Sequence, residues 1–195
     1  MGSGSPREWR TLEVRGPGGV WRLAAGPFGM LRLALPGTGK RRFLEECERL
    51  WAVPRGEGAA RGAGRRTHDP EVLCAEVAGW IREWGPEAAA YWHACPPPLD
   101  LRGSPFRVRV WKTLRLLPPG RLITYRELAE RAGAPGAARA AGTAMRKNPL
   151  PLLVPCHRVV AASGPGRFGT AGLPLKLRLL RLEGTPFPER WSERA

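Results

Sequence analysis

A chain of 195 residues, 43% of them hydrophobic, has room for one large domain or two small ones and is too apolar for a disordered or fibrous protein. It holds no run of about 18 apolar residues to span a bilayer, and Met1 to Arg10 lack the apolar core of a secretory signal, so residence in the cytoplasm, or the nucleus of a eukaryote, is expected. The formal net charge of +15 is lopsided, with 14 Lys and Arg against 12 Asp and Glu in residues 1–100 and 18 against 5 in residues 101–195.

A basic field of that kind concentrates polyanions and favours phosphate contacts, so nucleic acid is the first candidate partner. The Ala-, Gly-, Pro- and Arg-rich composition of a GC-rich genome would give a similar charge with no such meaning.

Residues 20–25 (Val-Trp-Arg-Leu-Ala-Ala) and 30–35 (Met-Leu-Arg-Leu-Ala-Leu) are apolar runs flanking Gly26-Pro27-Phe28-Gly29, the pattern of a hairpin or meander. Phe43, Leu44, Cys47, Leu50 and Trp51 then recur with the spacing of one face of a helix, and Leu73, Val77, Trp80, Ile81 and Trp84 form a second such face. Between them, residues 54–70 are rich in Gly and Arg without periodicity and read as an exposed loop. Cys47, Cys74, Cys95 and Cys156 form no CxxC pair, which points to reduced thiols. His68, Cys74, His93 and Cys95 match no zinc spacing and are read as core or surface residues, so no metal is assigned.

Ala94 to Asp100, with its Pro96-Pro97-Pro98 run, marks the expected boundary between two domains. The fold class that results is α+β: an N-terminal α/β domain over 1–98 with a small antiparallel sheet, and a mostly helical domain over 99–195. Ser104 and Pro105 open a helix whose core face is Val110, Trp111, Leu114 and Leu117. Thr124-Tyr125-Arg126-Glu127 reads as a capping box that starts a helix with Tyr125, Leu128, Ala129 and Ala132 on one stripe, stopped at Gly133. A second helix places Ala138, Ala141, Gly142 and Met145 inward and Arg139, Thr143 and Arg146 outward. The pair makes a helix-turn-helix with a basic outer face.

The run Asn148 to Val160 carries Cys156 and His157 side by side between prolines and apolar residues. A cysteine is a nucleophile only as thiolate, which a neighbouring cation or base must supply; the dipeptide taken alone fits a buried, inert Cys better than a reactive one. Its surroundings are more telling. Pro155-Cys156-His157-Arg158-Val159 resembles the active-site signature of the O6-alkylguanine-DNA alkyltransferases, also called methylated-DNA-protein-cysteine methyltransferases. In-order matches extend from Leu101-Arg102-Gly103-Ser104-Pro105-Phe106 through Thr124-Tyr125, Ala137 to Ala140 and Ala144 to Pro149 as far as Leu182-Glu183-Gly184.

The resemblance implies a single-turnover repair protein that flips an O6-alkylguanine, with O4-alkylthymine as a further candidate, out of double-stranded DNA and takes its alkyl group irreversibly onto Cys156. His157 would be the general base acting through a water, Glu183 would orient it, and Asn148 would hold the active-site backbone. Tyr125 would rotate the target phosphate and bond the guanine, Arg139 would enter the stack in place of the extruded nucleotide, and Thr143, Arg146 and Lys147 would contact DNA. The second helix would enter the minor groove. The expected base pocket comprises Tyr125, Met145, Val159, Phe168, Gly169 and Thr170. No metal or organic cofactor is required, no membrane is involved, and a monomer is expected.

The loop Gly164 to Leu173 departs from the family pattern: Gly169 stands where an aromatic Tyr is usual, Ala171 where Gly is common, and Phe168 is displaced by one position. A looser base pocket is the expected consequence. The alternative reading is a non-catalytic alkyltransferase-like protein that binds alkylated DNA and flags it for other repair; such proteins replace the cysteine that is retained here. A cysteine hydrolase is disfavoured, because neighbours on an extended strand point to opposite faces.

Overall fold

The computed structural model describes residues 9–53, 69–166, 168–169 and 171–194, so the loop expected over 54–70 lies almost wholly outside the described residues. Three antiparallel strands, β1 (Arg10–Gly16), β2 (Gly19–Gly26) and β3 (Gly29–Ala34), form a meander in chain order. β2 and β3 are the two apolar runs. β1 is faint in the sequence because Val14 is its one buried residue.

Both faces of this sheet are covered, which is why β2 and β3 read as nearly continuous apolar runs instead of alternating ones. On one face α1 (Lys40–Ala52) packs Phe43 and Cys47 against Trp9, Ala24, Leu31 and Ala34. The opposite face, with Trp21, Leu23, Met30 and Leu33, meets Leu73, Val77 and Ile81 of α2 (Pro70–Arg82), and the same core continues into Val110, Trp111 and Leu114 of the second half. A further helix, α3 (Pro86–Ala94), escapes the sequence pattern because its buried stripe of Ala88, Ala89 and Trp92 is mostly alanine.

The proline-rich segment expected to separate two domains is bonded to the sheet. Met30 N–H donates to the Pro98 carbonyl (2.8 Å), Asp100 N–H to that of Met30 (2.9 Å), and Leu33 N–H to that of Pro149 (2.8 Å). The free edge of β3 is thereby closed by chain from the second half. The approach is tight enough to require Gly29, where a Cβ would lie 2.5 Å from the Pro98 carbonyl oxygen at a φ of +126°.

In the second half, α4 (Pro105–Arg115) begins at Ser104, whose Oγ accepts from Arg107 N–H at 3.5 Å. Its Trp111 Nε1–H donates to the Ala144 carbonyl (2.9 Å), tying it to α6 (Ala138–Arg146). The capping box of α5 (Tyr125–Arg131) is closed by Glu127 N–H to Thr124 Oγ1 (3.2 Å) and Thr124 N–H to Glu127 Oε2 (2.8 Å). The inward face of α6 differs from expectation: Ala141, Ala144 and Met145 are buried, whereas Ala138 and Gly142 are turned toward Tyr125 and line a cavity.

Two short strands, β4 (Ile123–Thr124) and β5 (Val159–Val160), pair in parallel. The stretch expected to be extended at Cys156 is one turn of 3-10 helix, Cys156–Arg158, followed by β5. α7 (Gly172–Leu182) and a 3-10 turn at Glu189–Arg194 complete an α+β fold. Among the described residues no helix is long and apolar enough to cross a membrane.

Candidate functional site

The chain between α6 and β5 folds back on itself before it reaches Cys156. Val154 N–H donates to the Leu150 carbonyl (2.8 Å) and Cys156 N–H to that of Val154 (2.7 Å). Leu152 takes a φ of +72°, a conformation that costs a branched side chain energy and that the surrounding bonds must hold. Asn148 spans this fold. Its Oδ1 accepts from Leu150 N–H (3.0 Å), and its Nδ2 donates both to the Val154 carbonyl (2.9 Å) and to Cys156 Sγ (3.0 Å). The sequence-based role for Asn148 is confined to the backbone; the contact with sulfur is additional.

Burial pushes the Cys156 thiol up, and the Asn148 amide together with the charges of Lys176 and Arg32 only partly offset it. The sulfur is therefore a thiol at rest and needs a base. His157, fully buried beside it, is held neutral by burial, which outweighs the pull of Glu183. Its Nε2 lies 3.0 Å from Glu183 Oε2, and its Nδ1 has no hydrogen-bond partner among the described residues. That arrangement fits the tautomer with hydrogen on Nε2 and a basic lone pair on Nδ1. Trp84 and Phe168 contact the imidazole edge-on, each with ring centroids 6.3 Å away.

Glu183 accepts four donors: His157 Nε2, Arg158 Nε (3.0 Å), Arg158 Nη2 (2.8 Å) and Thr185 Oγ1 (2.7 Å). Burial alone would raise its pKa, but His157 and Arg158 hold the carboxyl well below the usual carboxylate range. Arg158 also donates to the Leu117 carbonyl (2.9 Å). Lys176, with no exposed surface, donates to the carbonyls of Val159 (2.6 Å) and Pro165 (2.5 Å), and burial pulls its pKa down to about 8. Neither Arg158 nor Lys176 has a role in the sequence reading. A signal was present for the second, since Lys176, Leu179, Leu180 and Glu183 share one helical face of otherwise buried residues.

Cys156 opens onto a cavity of about 980 Å³. Met145, Asn148, Phe168 and Gly169 share its lining with the sulfur, Tyr125 and Gly142 form one wall, and Arg139, Thr143 and Arg146 of α6 stand at the rim. Burial, followed by proximity to Cys156, raises the Tyr125 phenol, so it remains a hydrogen-bond donor. The fourteen residues expected at the site do not all converge. Val159 is buried, pairs with Ile123 in β5 and lies outside the cavity lining, because the parallel strand turns it into the core.

Lys147 is exposed at the end of α6, away from the lining, and Thr170 lies outside the described residues. The opposite wall is new: Arg32, Leu35, Thr38, Arg42 and Glu46 come from β3, α1 and the turn between them. Phe168 sits 3% exposed beneath the pocket, and Leu35 closes the space beside Gly169, where a Cβ would lie 3.1 Å from Leu35 Cδ1. His93 and Cys95 are exposed and Cys74 is buried, its thiol pushed up to about 11 by burial; His68 lies outside the described residues.

Residues 105–185 match the family model for the 6-O-methylguanine DNA methyltransferase DNA-binding domain. A methylated-DNA–protein-cysteine methyltransferase of Mycobacterium bovis is 49% identical over 173 residues, covering 86% of this chain and 94% of that protein. The relative of the same name in Mycolicibacterium paratuberculosis is 53% identical over 85 residues, a match that spans only 52% of that protein. Among solved structures, the Mycobacterium tuberculosis OGT in complex with DNA superposes with a TM-score of 0.65 at 32% identity, covering 89% of this chain and 91% of that one. The O6-methylguanine-DNA methyltransferase of Pyrococcus kodakaraensis gives a TM-score of 0.63 at 27% identity, covering 91% and 99%.

Proposed function

The chain belongs to the methylated-DNA–protein-cysteine methyltransferases, DNA-repair proteins that transfer an alkyl group from DNA to one of their own cysteines, and from that premise we propose that its acceptor is Cys156 and its substrate O6-alkylguanine in duplex DNA. The observation that carries the assignment is the sulfur itself: it opens onto a cavity rimmed by the outer face of α6, accepts a hydrogen bond from Asn148, and has the His157–Glu183 pair behind it.

An O6-alkyl carbon lies inside the base stack, so the nucleotide must swing out before sulfur can reach it, at a cost of about a few kcal/mol. Arg139 at the rim fills the gap it leaves. Tyr125 donates to the flipped guanine. The Cys156 proton passes through a bridging water to His157 Nδ1, since the two side chains leave the 3-10 turn in different directions and share no direct bond. The thiolate attacks the alkyl carbon, the carbon–oxygen bond breaks as the carbon–sulfur bond forms, and the departing guanine recovers a proton.

Glu183 stabilises the imidazolium while it exists. The thioether offers water no leaving group, so each chain acts once, as a monomer in the cytoplasm, with residues 1–98 and 99–195 as its two parts. Titration with excess labelled lesion duplex tests this: label reaches one equivalent per chain and stops. Turnover beyond one equivalent, or label carried equally by a Cys156→Ala variant, contradicts it.

The non-catalytic alternative fits less well, because the acceptor cysteine and its partners are all in place. Gly169 contributes no side chain to the pocket, and Leu35 stands beside it. Benzyl transfer from DNA is therefore expected to lose little relative to methyl transfer, and Phe168→Ala to slow both by loosening His157. Equal rates for Phe168→Ala and the unaltered protein on both lesions would remove Phe168 from the pocket.

A further inference from the structure

The wall contributed by β3 and α1 contains a buried connection to the sulfur. Arg32, its side chain 15% exposed, donates through Nη1 to the Pro149 carbonyl (2.8 Å), the same oxygen that accepts from Leu33 N–H (2.8 Å). Its Nε and Nη2 both reach Glu46 Oε2, at 3.1 and 2.6 Å, and Glu46 is in turn bonded by Arg42 Nε (3.1 Å). Pro149 follows Asn148 directly, and its ring fixes its own φ. A carbonyl clamped at Pro149 therefore fixes the backbone from which the Asn148 carboxamide is aimed at Cys156 Sγ, 3.0 Å away. Glu46, Arg32, Pro149, Asn148 and Cys156 form one connected path from the N-terminal helix to the acceptor.

We infer that Arg32 is a positioning residue for the alkyl transfer: by gripping the Pro149 carbonyl it holds the Asn148 amide against the sulfur, and its guanidinium adds positive charge at the cavity wall where the thiolate must form. The N-terminal sheet and α1 thus take part in the chemistry without touching the reacting atoms. An arginine that only stapled α1 to the sheet would need Glu46 but not the Pro149 carbonyl, and its charge would not bear on the sulfur. Here the charge of Arg32 does help lower the thiol pKa, alongside Asn148 and Lys176. The other ionisable groups near Cys156 are Tyr125, Lys176 and, behind the sulfur, the His157–Glu183–Arg158 cluster, and the hydrogen bonds of the Arg32 side chain go to Glu46, Leu33 and Pro149 instead.

The inference rests on Cys156 being the acceptor, so the unaltered protein must first become benzylated at Cys156 by free O6-benzylguanine, releasing guanine. Failure at that step defeats the proposed function, not the role of Arg32. Given that reaction, Arg32→Met should lower its rate at neutral pH about tenfold, the size expected for one positioning hydrogen bond and a nearby charge. The midpoint of its pH–rate curve should move to higher pH. Arg32→Lys, which keeps the charge but not the fork, should keep the midpoint and lose rate several-fold, and it decides the matter if Arg32→Met does not fold. Rates that fall only with the folded fraction at an unmoved midpoint, or an Arg32→Lys variant as fast as the unaltered protein, would overturn the inference.

Discussion

Glu183→Gln should cost the fold about 3–5 kcal/mol and slow methyl transfer by about a hundredfold or more. Arg158 and Glu183 are a buried pair, with side chains 4% and 0% exposed. Removing the negative partner leaves a guanidinium with only the Leu117 carbonyl and the neutral amide for compensation. The kinetic loss has a separate cause. A Gln amide can donate to His157 Nε2, which would put the ring hydrogen on Nδ1 and abolish the basic lone pair that the sulfur needs. Urea unfolding at pH 7 measures the first effect and single-turnover transfer the second. A stability loss under about 1 kcal/mol would mean the pair behaves as a solvated surface contact.

The same cluster sets the acid limit. The Glu183 carboxyl titrates lower in the folded protein than in the unfolded chain, so its contribution is complete above the unfolded carboxyl range near ~4.3 and is lost as pH falls through the folded value. His157 is also shifted down, so stability begins to fall as pH drops through about 6.5, where the unfolded imidazole binds a proton that the buried one refuses.

Arg139→Ala should reduce repair of a lesion in duplex DNA about thirtyfold while leaving benzyl transfer from the free base almost unchanged. Arg139 is exposed on α6 at the cavity rim, and no hydrogen bond of its side chain or contact with Cys156 is seen in the described structure. None of the hydrogen bonds of the Cys156, Asn148 and His157 side chains runs through it. The substitution removes the group that occupies the emptied stack, and forfeiting about 2 kcal/mol of the cost of extrusion gives a factor of that size. Parallel losses with both substrates would show that Arg139 acts on the reacting centre and not on the duplex.

The local chemistry of the second half is written in short sequence signals. Ser104-Pro105 and Thr124 to Glu127 start helices where the caps indicate, and the order of Cys156, His157 and Glu183 brings the three together once α7 returns along β5. What the sequence conceals depends on distant contacts. β4 and β5 are two residues each and exist because Ile123 and Val159 find one another across the chain. The 3-10 turn at Cys156 follows from Asn148 bonds and from a strained Leu152, neither of which has a periodicity. Arg32 and Glu46 look like solvated charges on a strand and a helix. Only the closure of the β3 edge by Pro149 reveals that they face the cavity. Val159 errs in the other direction: the family resemblance implies a place in the pocket, whereas the parallel pairing buries it.

The most direct measurement of the central claim is peptide mass mapping after reaction, under reducing conditions, with a duplex bearing one O6-methylguanine. One added methyl group is expected, on the peptide containing Cys156, with Cys47, Cys74 and Cys95 unmodified. An unmodified Cys156, or a methyl group on any of the other three, would contradict it.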